Sequence, residues 1–271
     1  MLPRRRLQQY LTTVEELAQR RGWLRDHSFL WWTRRHLRRA IFVSGAAQWG
    51  TKSFEFWTLL MVILALERPK SIVELGSGRS TSYLTEYAMK QGIAYASIEQ
   101  NPVYARMIKR GLVNSFLDPR YLHHVPVAKD GWYEAEPLNR VVTAPCELLF
   151  IDGPVGAQES IGRGVRNCDR SNRWLAAAAA TSKVLIVDDV HRRPNLEMFD
   201  ALISGLPHLR PLFLSYHVQR IPNVLAIGIL SSSYDRIARM CSELGFSFST
   251  EYSMDECSEG IAPPETGDER E

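Results

Sequence analysis

One stretch of the chain, residues 71–81 with the sequence SIVELGSGRST, constrains the fold more than any other. It opens as an apolar, β-branched run and ends in a turn that contains Gly76 and Gly78, and residues 82–89 then follow a helical pattern. A strand, a tight glycine turn and a helix form the opening of a nucleotide-binding βαβ unit. Glycine suits this turn because it adopts positive φ and because the absence of a Cβ lets a ligand lie against the backbone.

The rest of the chain continues this alternation of strand and helix. Further strands are predicted at residues 94–99, 121–127, 147–152 and 183–189, and helices at residues 51–67, 102–114 and around the alanine run 176–180. Residues 211–218 and 223–230 read as two strands joined by a short link, and a helix follows at 234–244. A short link makes a hairpin, so one late strand must run antiparallel. We therefore predict an α/β, Rossmann-like fold with a mostly parallel seven-stranded sheet, a late antiparallel hairpin and helices on both faces.

Charge is distributed unevenly along the 271 residues. The first forty residues hold ten Arg and three acids, whereas the last twenty-one hold eight acids and one Arg. We divide the chain into an Arg-rich helical segment (1–50), a catalytic domain (51–250) and an acidic, disordered tail (251–271). The N-terminal segment has three interpretations: a lid over an acceptor pocket, a surface that contacts nucleic acid or an anionic membrane, or a solvated helix face whose tryptophans pack on the core.

Neither a secretory signal nor a transmembrane segment is expected. No apolar region follows the basic N-terminus, and the longest apolar run, residues 56–66, is too short to cross a bilayer. The four cysteines are widely spaced and match no zinc pattern. We interpret them as free thiols in a reducing compartment and predict a cytoplasmic protein.

Polar residues follow several predicted strands, where ligands bind in open α/β sheets. Glu99 ends the second strand about twenty residues after the glycine turn, where an acid can accept ribose hydroxyls; otherwise it caps a helix. After the third strand, Asp130 can accept the adenine amino group and Trp132 can lie against the ring. The alternative there is a surface turn built on Asp130 and Gly131 with the aromatic side chains packed beneath it.

The motif E-x-G-x-G formed by Glu74, Gly76 and Gly78 resembles motif I of the class I S-adenosylmethionine (SAM) methyltransferases. The runs DGWY (130–133), DGPVG (152–156) and DDVHR (188–192) resemble a bacterial group of that superfamily, and the resemblance covers about residues 50–230. It implies SAM as cofactor, with the acid of motif I helping to hold its cationic amino-acid end through water or a backbone group. The cofactor-binding residues that we predict are Glu74, Gly76, Ser77, Gly78, Ser80, Thr81, Glu99, Asp130, Gly131, Trp132 and Asp152.

Two catalytic arrangements are open at the ends of the fourth and fifth strands. Asp152, Asp188 and Asp189 look like the metal site of catechol-type O-methyltransferases, and three carboxylates suit a divalent cation such as Mg²⁺. Asp189 stands where that family has Asn, and Gly153 with the proline after it reshapes the first loop, so we favour a metal-free reaction. His191 is then the general base; otherwise it is an exposed loop histidine. The predicted catalytic residues are His191, Asp152 and Asp189.

The predicted function is SAM-dependent O-methylation of a small molecule or sugar. One alternative is a non-catalytic nucleotide-binding module that uses the Arg-rich arm to bind nucleic acid or a membrane. A second is an NAD-dependent oxidoreductase, which Glu74 and Thr81 disfavour, because a dinucleotide motif has a third small residue at position 81.

Overall fold

The computed structural model describes residues 54–129, 131–142, 145–154, 173–218 and 221–252. The predictions for segment 1–50, for Asp130 and for all but the first two residues of the acidic tail lie outside the described residues.

Helices and strands alternate through most of the described chain. The strands are β1 Ser71–Leu75, β2 Ala94–Glu99, β3 Leu122–His124, β4 Leu148–Ile151, β5 Val184–Val187, β6 Leu209–Val218, β7 Ile221–Leu230 and β8 Phe248–Ser249. The α-helices are α1 Phe54–Glu67, α2 Arg79–Gln91, α3 Pro102–Asn114, α4 Ala135–Val141, α5 Arg173–Ala180, α6 Arg193–Ser204 and α7 Ser231–Glu243, with one 3₁₀ turn at Pro119–Tyr121.

The strands form one sheet with the order β3-β2-β1-β4-β5-β7-β6-β8. Strands β1 to β5 pair in parallel, whereas β7 runs antiparallel to both β5 and β6. This confirms the predicted α/β, Rossmann-like class and the late antiparallel hairpin. The sheet built by the described residues has eight strands rather than the predicted seven, because the two-residue β8 pairs with β6.

Alternate residues of the central strands serve two buried clusters on opposite faces of the sheet. Ile72, Phe150 and Ile186 belong to one cluster, while their neighbours Val73 and Leu149 belong to the other. Successive side chains of a strand point to opposite faces, so both faces of a doubly covered sheet are apolar. Helices α1, α2 and α7 contribute to the first cluster, and α4, α5 and α6 to the second.

The third strand is shorter than predicted. It ends at His124 instead of continuing to residue 127. Pro126 has no backbone N–H to donate to a ladder, and Val127 instead forms an isolated antiparallel bridge with Tyr133. The chain therefore leaves the sheet two residues before Pro126 and enters a tight turn at its carboxyl edge.

Among the described residues, no helix combines the length and the apolar character that crossing a membrane requires. Cys146 and Cys241 are buried free thiols, and burial raises the pKa of each to about 12. The other two cysteines lie outside the described part of the chain.

Candidate active site

The glycine turn between β1 and α2 lies against the backbone that follows β4. Gly76 has φ +90°, and its N–H donates to the carbonyl of Ile98 at 2.8 Å. A Cβ on Gly76 would stand 2.7 Å from the carbonyl carbon of Asp152 and 2.9 Å from the nitrogen of Gly153. The sequence motif predicts that Gly76 leaves room for a ligand against the backbone. The structure gives another physical reason, which is the close contact of two backbone segments together with the positive φ.

Gly78, two residues further on, has a different environment. It precedes the first residue of α2, and a Cβ built on it would meet no heavy atom of the described residues within 4 Å. The open side of the turn is therefore at Gly78, beside the N-terminus of α2, where backbone N–H groups favour polar or anionic ligand groups.

Glu74 lies beneath the turn and is fully buried. Its Oε2 accepts hydrogen bonds from the hydroxyls of Thr81 at 2.8 Å, Tyr95 at 2.6 Å and Ser97 at 2.7 Å. The Thr81 hydroxyl in turn accepts the N–H of Gly78 at 2.8 Å. Glu74 thus supports the turn from below and acts on its backbone through Thr81. The role of Thr81 is therefore to connect the buried Glu74 carboxyl to the backbone of the turn at Gly78.

Burial raises the pKa of the Glu74 carboxyl above its ordinary value, and the surrounding hydroxyls, beginning with that of Ser80, partly oppose this. Ser80 is itself only 1% exposed. Burial also raises the pKa of Tyr95 well above 10, and the nearby Glu74 raises it further. This group of polar side chains is therefore an internal support of the turn.

Glu99 connects the end of β2 to the glycine turn. Its Oε2 accepts the hydroxyl of Ser77 at 2.7 Å and the N–H of Ser77 at 3.2 Å, and its Oε1 accepts the N–H of Asn101 at 2.7 Å. The cap of α3 is Asn101, whose Oδ1 accepts the N–H groups of Val103 and Tyr104. Glu99 is therefore not the helix cap of the alternative interpretation, and it places a 3% exposed carboxylate beside the turn.

Gly131 forms the turn that follows β3. Its φ is +84°, its N–H donates to the carbonyl of Ala128 at 2.9 Å, and the N–H of Ala128 donates to the carbonyl of Trp132 at 2.7 Å. Trp132 is 5% exposed and Tyr133 is 2% exposed, and their rings meet edge to face at 5.6 Å. The aromatic side chains are packed beneath the turn, as the alternative interpretation of this motif has it. Contact between Trp132 and adenine remains a prediction.

The carboxylates that follow β5 are held by neighbouring side chains. The hydroxyl of Tyr216 on β6 donates to Asp188 Oδ1 at 2.5 Å, and Asp188 is 2% exposed. Asp189 has φ +59°, forms an ion pair with Arg192 at 2.9 Å, and accepts the amide of Asn223 at 2.8 Å.

These contacts bear on the predicted cation site. Asp152, at the end of β4, is half-buried and its N–H donates to the carbonyl of Leu75 at 2.7 Å. Within the described ranges, no three His, Cys, Asp or Glu side chains are grouped so that they could hold a metal ion. Asp188 is oriented toward Tyr216, and Asp189 toward Asn223 and Arg192.

His191 is partly buried and its Nδ1 lies 2.8 Å from Oδ1 of Asn223. It is therefore not the exposed loop histidine of the alternative interpretation. Asn223 and Tyr216 are opposite each other in the β6–β7 hairpin, and neither was identified from the sequence. Because β7 runs antiparallel to β5, its first residues lie beside the carboxyl end of β5. The polar residues near that end of the hairpin were the feature of the sequence that could have identified Asn223 and Tyr216 as site residues.

The chain was compared with known proteins. No protein-family model matches it, and neither does any curated protein. Among solved structures, it is similar to an O-methyltransferase from Bacillus cereus in complex with S-adenosylhomocysteine, with 16% identity, a TM-score of 0.47, and 72% of this chain and 90% of that chain covered. It is also similar to the O-methyltransferase TomG from Streptomyces achromogenes, involved in tomaymycin synthesis and solved with SAM, with 16% identity, a TM-score of 0.48, and coverage of 72% and 89%.

Proposed function

We propose that residues 51–250 form a SAM-dependent methyltransferase that methylates an oxygen of a small molecule or sugar. The observation that carries this proposal is the link from Ser77 to Glu99, which joins the glycine turn to a buried carboxylate at the carboxyl edge of the sheet. An acid at the end of β2 is where ribose hydroxyls are accepted in nucleotide-binding βαβ units.

The residues of this edge fit SAM in shape and charge. The open space at Gly78 leaves room against the turn. Glu99 and Asp152 supply negative charge, which suits a ligand that carries a sulfonium and an ammonium group. We assign Ser77, Gly78 and Glu99 to the nucleoside side of the cofactor and Asp152 to its cationic side.

When bound, SAM supplies an electrophilic methyl group on a positively charged sulfur. The chain's own task is to align the acceptor oxygen with that methyl group and to exclude competing water. His191 accepts the proton of the acceptor hydroxyl, so that the oxygen electron pair forms the new O–CH₃ bond. The S–CH₃ electron pair remains on sulfur, and the products are a methyl ether, a neutral thioether and a proton held by His191. The proposed reaction uses no cation, because the carboxylates are already engaged: Asp188 accepts a hydrogen bond from Tyr216, and Asp189 binds Asn223 and Arg192.

The sheet disfavours the oxidoreductase alternative. A dinucleotide-binding sheet has six parallel strands in the order 3-2-1-4-5-6, whereas here the antiparallel β7 lies between β5 and β6. The arm of the binding-module alternative lies outside the described residues.

Calorimetry of the full chain with SAM, S-adenosylhomocysteine and NAD tests the proposal. We expect the first two ligands to bind and NAD not to bind. Glu99→Ala should weaken SAM binding by about tenfold to a hundredfold, because hydrogen bonds to a charged group contribute roughly 1.5–3 kcal/mol. The control is Glu136→Ala, which removes an exposed carboxylate of α4 that forms an ion pair with Arg140 along the helix. Binding of NAD in preference to SAM, or equal SAM affinity in both variants, would contradict the assignment.

A further inference from the structure

Asn223 is held by three contacts of the described chain. It is 8% exposed, its Oδ1 accepts the N–H of Val224 at 2.7 Å, and its Nδ2 donates to Asp189 Oδ1 at 2.8 Å. The third contact is the 2.8 Å distance between its Oδ1 and Nδ1 of His191.

These partners determine which way the amide points. A backbone N–H can only donate, and an ionised carboxylate can only accept. Rotating the amide by 180° would place its NH₂ against the N–H of Val224 and its oxygen against Asp189, so both contacts would become repulsive. The oxygen of Asn223 therefore faces Val224 and also His191.

The orientation of the amide decides the tautomer of the imidazole. Since the oxygen of Asn223 only accepts, Nδ1 of His191 must carry the hydrogen in that contact. In a neutral imidazole the other nitrogen is then the acceptor. We propose that Asn223 is a positioning residue that keeps the proton of neutral His191 on Nδ1, so that the ring carries its lone pair on Nε2.

Asp189 takes part in this arrangement as an anchor. Its carboxylate holds the NH₂ of Asn223 and is itself held by Arg192 at 2.9 Å. Asp189 thus fixes the orientation of the Asn223 amide, and the amide in turn fixes which nitrogen of the His191 ring carries the hydrogen. This makes Asp189 a supporting residue, in place of the metal-ligating role considered from the sequence.

The inference rests on the proposed function, because a base acting at Nε2 needs an acceptor hydroxyl to deprotonate. With the tautomer fixed, the hydroxyl proton passes to Nε2 and the bond from oxygen to hydrogen breaks. The oxygen keeps the electron pair that attacks the methyl carbon, and the bond from sulfur to that carbon breaks with its pair on sulfur. A ring with its hydrogen on Nε2 could not accept that proton at Nε2.

The test is ¹⁵N NMR of the histidine rings in the full chain at a pH where the rings are neutral, with the His191 signals assigned by their loss in His191→Gln. We expect the wild-type ring to show the hydrogen on Nδ1. Asn223→Leu, which keeps the approximate size but removes the acceptor, should shift the population toward the tautomer with the hydrogen on Nε2. Asp189→Asn should retain the wild-type pattern, because its side-chain oxygen can still accept the amide of Asn223. A wild-type ring with its hydrogen on Nε2 overturns the inference even if Asn223→Leu does not fold.

SAM binding provides a separate readout. Asn223→Leu should bind SAM with wild-type affinity, because Asn223 contacts Val224, Asp189 and His191 rather than the glycine turn. Its turnover should fall about tenfold or more. Failure of the wild-type chain to bind SAM contradicts the proposed function and leaves the tautomer result as it stands. A tautomer that does not change in folded Asn223→Leu contradicts the role of Asn223 and leaves the proposed function as it stands.

Discussion

Gly76 and Gly78 belong to one motif, but only Gly76 is required by the packing of the chain itself. At Gly76 a side chain would collide with the backbone of Asp152 and Gly153. At Gly78 a Cβ would contact no atom of the residues that the structure describes. A substitution of Gly76 would therefore disturb the fold, whereas a substitution of Gly78 reports on ligand binding alone.

We predict that Gly78→Val folds as the wild-type chain does and loses SAM affinity by about tenfold or more, because the new side chain occupies the space that the cofactor needs. Calorimetry measures the affinity, and thermal unfolding checks the fold. Gly111→Val is the matched control, since a Cβ on Gly111 in α3 also meets no atom of the described part of the chain within 4 Å. Undiminished affinity in folded Gly78→Val would remove the glycine turn from the cofactor site.

The residues of the site differ in how far the sequence could predict them. Glu74 and Glu99 stand at fixed spacings from the glycine turn, so a local motif was sufficient to select them. Tyr216 and Asn223 come from a hairpin whose contact with β5 spans more than thirty residues, and no local pattern marks that contact. The role of Thr81 could not be predicted either, because its hydrogen bond to Glu74 forms only when β1 and α2 are packed together.

Among the elements, prediction succeeded where the chain carries its own start and stop signals. The bounds of β2 and α3 agree with the sequence, since Asn101 caps α3 and a proline stands at its first position. The bounds of β3 do not agree, and no helix was predicted at α4 or α6. The short α4 and β8 contain too few residues for a period to show.

The turn that follows helix α3 contains an unfavourable residue, Phe116. Phe116 has φ +59° and is 94% exposed, and it lies in the turn where Leu117 N–H donates to the carbonyl of Leu112 at 2.9 Å. A glycine normally occupies such a left-handed position, because a Cβ there costs about 1–2 kcal/mol. We predict that Phe116→Gly raises the free energy of unfolding by about 1 kcal/mol, as measured by urea denaturation.

A control on the same helix separates this effect from the flexibility of glycine. Val113 is 56% exposed and lies in the last turn of α3, one residue before its end. Val113→Gly should lower stability by roughly 0.5 kcal/mol, because glycine is a poor helix former. Loss of stability in both variants would contradict the assigned strain at Phe116.

At the scale of the whole molecule, the antiparallel strand β7 brings residues of the hairpin to the candidate active site. Parallel strands direct only their carboxyl ends to the ligand edge, and β7 adds its first residues to that edge beside Asp189. The hairpin predicted from the sequence thus places Asn223 next to the loop after β5. The class of the sheet followed from alternation and link length, while the contacts that the hairpin makes required the assembled molecule.

The buried carboxyl of Glu74 links the stability of the whole domain to pH. Its pKa is raised in the folded chain, chiefly by burial, and returns to its ordinary value of 4.5 on unfolding. A raised acid pKa means that the folded state holds the proton more tightly than the unfolded state. This contribution to stability is fully present below about pH 4.5 and is lost as the pH rises through the folded pKa.

We therefore predict that the free energy of unfolding of the wild-type chain, measured relative to Glu74→Gln, falls as the pH is raised above 4.5. The glutamine keeps an oxygen that can accept from Thr81, Tyr95 and Ser97, but it cannot ionise. Urea denaturation at a series of pH values gives the difference, and groups common to both chains cancel in it. If the wild-type chain instead gains stability over Glu74→Gln as the pH rises, the buried carboxylate is favoured in its ionised form, and the hydroxyls around it outweigh its burial.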